Sequence, residues 1–84
     1  MNNPESIQII KRFYQALDVI VASKRIRGKK TFTDMHNINR RNFIQVSKVP
    51  ESDMFQLVWI AYLVKDFGVS SQWIITGNGE MFTR

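Results

Sequence analysis

The residues with the most recognition chemistry lie together in NRRNFIQVSK, from Asn39 to Lys48. Arg40 and Arg41 carry planar guanidinium forks that match O6 and N7 of guanine, and the Gln45 amide matches N6 and N7 of adenine. Ile44 is an aliphatic group suited to a thymine methyl. Asn39, Asn42 and Lys48, with Lys29 and Lys30 upstream, supply donors of the kind that hold phosphate oxygens. If this stretch is a helix, its spacing divides the work. Phe43 and Val46 share one face and should pack inward, leaving Arg40, Arg41, Ile44, Gln45 and Lys48 on the other. The expectation is that Arg40, Arg41, Ile44 and Gln45 read bases of duplex DNA. Lys29, Lys30, Asn39, Asn42 and Lys48 would meet phosphates.

The charge distribution agrees. Between Lys24 and Lys48 there are eight Lys/Arg and one acid, Asp34, while the rest of the chain holds four bases and six acids. The net +5 of the 84-residue chain therefore hides a local +7 island on the stretch that carries the recognition chemistry. Such an island is the electrostatic footprint of docking on a phosphate backbone.

Other chemistries lack their residues. The chain has no cysteine and a single histidine, so thiolate sites, disulfides and a His/Cys metal constellation are ruled out. No nucleophile–base pair or carboxylate pair stands at workable spacing, so an enzyme is not expected. The glycines of ITGNGE lack the Lys-Ser/Thr that ends a phosphate-binding loop. His36 is expected to be a half-buried packing residue, and no cofactor is implied.

Five helices would position the recognition residues. Pro4-Glu5-Ser6 reads as a helix start, followed by Ile7, Ile10, Phe13, Tyr14, Leu17, Ile20 and Val21 at helical spacing with Gln8, Lys11, Arg12, Gln15 and Asp18 opposite. Gly28 marks the break after it. A short second helix starts at Gly28 or Thr31, the latter with Asp34 at capping-box spacing, and Asn37 ends it. Ile38 plugs the turn, Asn39 caps a third helix from Arg40 to about Lys48, and Pro50 stops it. Ser52 or Asp53 caps a fourth helix over Met54 to Phe67, closed by Gly68; Ser70 caps a fifth over Ser71 to Thr76, closed by Gly77. No strand pattern is present, so the fold class is all-α. The chain reads as one domain (1–84), with a helix-turn-helix at about 29–48 and a tail at 77–84.

FTDMHNINRRNFIQV resembles the helix-turn-helix of the lambda-repressor-like regulators of phage and bacteria (the XRE type). VSSQWIITGNGEMF is similar to the fifth helix and exit strand of its phage-type repressors. The likeness covers roughly Arg27 to Phe82. Three positions depart from the pattern: Thr33 where the crossing residue is usually Ala, Asn37 where the turn residue is usually Gly, and His36 where an apolar residue is usual. The resemblance implies a five-helix DNA-binding domain; because the sequence stops at Arg84, the C-terminal protease or oligomerisation domain of larger repressors is expected to be missing. It also implies sequence-specific binding of double-stranded DNA by a small transcriptional regulator of phage or mobile-element type.

The fourth helix raises a second reading. Eleven of its fourteen expected residues are apolar, and a helix apolar all round must be covered all round. Either it is central, or part of it, such as Phe55, Trp59 or Tyr62, faces a second subunit. A homodimer is expected, and Trp73-Ile74-Ile75 should fold back on the core, with Met81-Phe82 near the contact. The alternative function is a homo-oligomeric interaction module, adaptor or antitoxin-like, that keeps the fold without reading DNA. The longest apolar run, Leu57 to Val64, is eight residues, against the ~20 needed to span a bilayer. No secretory signal opens the chain, so a cytoplasmic, membrane-free protein is expected.

Overall fold

The computed structural model describes residues 3–83 and contains α1 (Pro4–Ala22), α2 (Lys29–Met35), α3 (Arg40–Lys48), α4 (Val58–Phe67) and α5 (Ser71–Thr76). The fold is all-α. The only pairing of extended backbone among the described residues is one antiparallel bridge, Val69 with Phe82. It is flanked by Ser70 N–H to Met81 O (2.8 Å) and Thr83 N–H to Gly68 O (2.9 Å), which tie the tail to the start of α5.

α1 begins where Asn3 Oδ1 accepts the Ser6 N–H at 2.8 Å, with Pro4 at the first helical position, where its missing donor costs nothing. Its inward stripe is Ile10, Phe13, Tyr14, Leu17 and Ile20. Phe13 is the hub of the core. Its ring meets those of Tyr14, Phe32, Phe43, Phe55 and Trp59 at centroid distances of 5.0 to 6.5 Å. One side chain thereby joins α1, α2, α3, α4 and the segment before α4, mostly in edge-on geometries that suit the aromatic quadrupole.

Two boundaries differ from expectation. α1 ends at Ala22, and the break after it is made not by Gly28 but by Lys24, which takes the left-handed conformation (φ +67) so that Arg25 N–H reaches Ile20 O and Lys24 N–H reaches Val21 O. This is a Schellman closure with lysine where glycine is usual. Gly28, in extended backbone, instead precedes α2, and of the two proposed starts for that helix it is Gly28 that holds.

α4 starts four residues late, at Val58 rather than Met54. Neither Ser52 nor Asp53 caps it. The helix is preceded by Leu57 without a side-chain cap, and the Ser52 hydroxyl is buried without a partner. The reason is packing. Phe55 leaves the helical path to place its ring 5.3 Å from Phe13 and 5.1 Å from Trp59. The two ends closed by glycine were legible: Gly68 (φ +71) and Gly77 (φ +79) sit in the left-handed region after α4 and α5. No helix among the described residues is long and apolar enough to cross a membrane.

Candidate nucleic-acid interface

α2, the turn and α3 are assembled by backbone closure. Asn37 takes φ +53, letting Ile38 N–H bond Thr33 O (2.9 Å) and Asn37 N–H face Asp34 O (3.4 Å). This is the same closure as at Lys24, here on the residue type that best tolerates the left-handed region after glycine. Ile38 packs against the core, and Asn39 Oδ1 then accepts the Asn42 N–H at 3.0 Å to start α3. Thr33, in place of the usual alanine, is fully buried, and its hydroxyl is satisfied by Lys30 O at 2.9 Å. The local acceptor offsets the cost of taking the hydroxyl out of water.

α3 is held from one side. Phe43 and Val46 are fully buried, as their spacing requires. From α1 the Tyr14 hydroxyl donates to Phe43 O at 2.7 Å, a buried bond that fixes the height of α3 over α1. Burial pushes the Tyr14 phenol above its ordinary range, so it stays a donor. Helical spacing alone places Tyr14 among the apolar core residues of α1. Only its hydroxyl signalled otherwise, since a buried tyrosine usually finds an acceptor.

The opposite face of α3 is open. Arg40, Arg41, Asn42, Gln45 and Lys48 are exposed, and among the described residues no carboxylate pairs with Arg40, Arg41 or Lys48. Ile44 departs from the expected set. It is half-buried and packs against the core, so only part of its surface is free for a base. Asn39 is likewise only partly free, because its carbonyl oxygen serves as the cap; its amide nitrogen remains.

The remaining cations of the island divide. Lys29 Nζ lies 3.1 Å from Asp18 and Lys30 Nζ 2.8 Å from Asp34. These pairs are largely exposed and worth little in water, so a phosphate can displace either carboxylate. Arg25 is bolted down. Its guanidinium donates to Phe67 O at 3.1 Å and lies over the rings of Phe67 and Phe82, at 5.2 and 6.0 Å. It joins the end of α4 to the tail. Arg12, expected on the solvent face of α1, instead donates to Ile74 O (2.6 Å) and Ile75 O (3.0 Å). A cation there satisfies carbonyls left over at the C-terminus of α5.

His36 is half-buried as expected, but it also makes a polar bridge. Its ring stacks on Tyr62 (3.8 Å between centroids, planes within 4°), and Nε2 lies 2.6 Å from Asp66 Oδ2. The end of α2 is thus pinned to α4. Beside it, Asn39, Asn42, Gln56 and Trp59 line a polar recess at the start of α3. No group of three or more His, Cys, Asp or Glu able to hold a metal ion occurs among the described residues.

Comparison of the chain with protein-family models, with curated proteins and with solved structures gives no match.

Proposed function

We propose that this chain is a lambda-repressor-like domain that binds double-stranded DNA sequence-specifically, with α3 in the major groove, and serves as a small transcriptional regulator of phage or mobile-element type. The observation that carries this reading is the two-sidedness of α3. Phe43, Val46 and the Tyr14 bond hold one face rigidly, while Arg40, Arg41, Gln45 and Lys48 stand exposed on the other, with no ion pair to these cations among the described residues. A rigid helix presenting unneutralised forks and an amide is what base-edge reading requires. Arg40, Arg41 and Gln45 are the base readers, with the free part of Ile44 beside them. Asn42, Lys48 and the Asn39 amide hold phosphates, and Lys29 and Lys30 join them by exchanging a carboxylate for a phosphate.

The working unit is a homodimer. Nine residues of α3 span about 13 Å and read only a few base pairs, whereas two such helices about 34 Å apart read a palindrome. The test is selection of bound sequences from a random duplex library, followed by affinity measurement on the selected and scrambled duplexes across a salt series. Enrichment of a two-fold symmetric site, bound more tightly than scrambled duplex at every salt concentration, is the expected result. Failure to retain any duplex at low salt would overturn the reading and favour the interaction-module alternative.

A further inference from the structure

The residues suspected from sequence of facing a second subunit are largely taken up by the chain's own packing. Trp59 is buried, and Phe55 and Tyr62 are half-buried in the chain's own contacts. The apolar surface left over lies elsewhere. Leu57 is 76% exposed, Ile75 45% and Val58 43%. Leu57 and Ile75, with Ile9, Phe55 and Ile60, line an open groove of about 110 Å³ between the start of α1, the start of α4 and α5. That is the same order as the ~150 Å³ cavity left when a leucine is cut out of a core.

We infer that this groove is where two copies of the chain pair, each inserting Leu57 into the groove of the other. The inference rests on the proposed homodimer and names its surface. Two observations select a second copy as the occupant. The first is self-complementarity: the most exposed large apolar side chain stands on the rim of an apolar groove that lacks a filler. A two-fold axis through the rim satisfies both at once, as an isologous contact requires. The second is charge. The lining carries no ionisable group, and the adjoining groove, which shares Ile9 and Ile75, adds only Glu5 and Arg12, a balanced pair. The chain as a whole is strongly basic. Across this lining two identical +5 molecules meet without opposing like charges. An acidic partner would be drawn to the Lys24–Lys48 island instead.

The experiment is sedimentation of the full chain over a concentration series without DNA. Wild type is compared with Leu57→Glu, with Ile75→Gln from the opposite wall, and with Val19→Glu, an equally simple charge insertion at an exposed apolar position near the far end of α1. Circular dichroism checks each fold. Expected are self-association by wild type and Val19→Glu, and weakening by roughly thirtyfold or more in Leu57→Glu, the loss typical of a central anchor. Ile75→Gln shifts the equilibrium the same way, which keeps the test valid should Leu57→Glu misfold. A wild type that stays monomeric both alone and on its duplex, or folded groove variants that associate like wild type, would overturn the inference. Neither result touches the reading of DNA, which falls only if no duplex is bound by any variant.

Discussion

Replacing Tyr14 by Phe removes one oxygen and tests the strut under α3. In wild type the hydroxyl donates to Phe43 O at 2.7 Å in a site where Tyr14 is 7% exposed. The ladder of α3 still offers that carbonyl a donor, so the change loses one bond without leaving an orphan. That sets the cost at about 1 kcal/mol, or ~4–8 °C in melting temperature for a domain of this size. The pH dependence is sharper. Burial raises the folded-state value of the phenol above the ordinary 10.0, so its contribution to stability is fully present below pH 10. It is lost as pH rises above the unfolded value toward the folded one, because the unfolded chain then releases a proton that the folded one keeps. Each pH unit above 10 costs wild type about 1.4 kcal/mol from this group alone. The Phe variant is spared that loss. Thermal melts of both proteins from pH 7 to 11 should therefore show wild type ahead at neutral pH and the two curves crossing between pH 10 and 11. Every other group is common to the two proteins and cancels in the difference. A gap that stays constant to pH 11 would mean that Tyr14 is not held in a buried bond.

Phe43→Ala should cost about 3–5 kcal/mol, the range for a fully buried aromatic, and melt far earlier by circular dichroism; a normal melt would mean that α3 is rotated from the orientation described. Lys24→Gly should raise stability by about 0.5 kcal/mol, the ~1–2 kcal/mol relief of a left-handed lysine less the extra freedom glycine gives the unfolded chain, measured by urea unfolding. Arg41→Ala should weaken the selected duplex by about 1–3 kcal/mol more than scrambled duplex, whereas Lys48→Ala should weaken both alike and reduce the salt slope by about one unit. Equal losses on both duplexes for Arg41→Ala would make that arginine a backbone clamp.

What could be read in advance follows the range over which each signal acts. Period and caps work within one turn of helix. The two faces of α3, the Asn39 and Ser70 caps, the left-handed Asn37 and the glycine stops of α4 and α5 were therefore legible from neighbouring residues alone. Lys24 shows the limit of such signals. Nothing in its side chain announces a left-handed turn, and the helix ends there because the closure bonds and the packing of the following loop outweigh a modest backbone cost. The start of α4 fails for a related reason. Met54 to Leu57 suit a helix, but there the chain leaves the helical path and Phe55 packs on Phe13, a partner 42 residues away that no neighbouring residue announces.

The candidate site divides in the same way. By itself the sequence determined that one short helix would show Arg40, Arg41, Gln45 and Lys48 on the face opposite Phe43 and Val46, because 3.6 residues per turn leaves no other arrangement. Which cations stay free was a tertiary matter. Arg12 is committed to a carbonyl 62 residues away and Arg25 to one 42 residues away, while Tyr14 reaches across 29 residues to steady α3. Composition counts those arginines as surface charge and that tyrosine as core. Their partners are backbone carbonyls, which every residue carries and no sequence marks, so only the meeting of the helices could decide them.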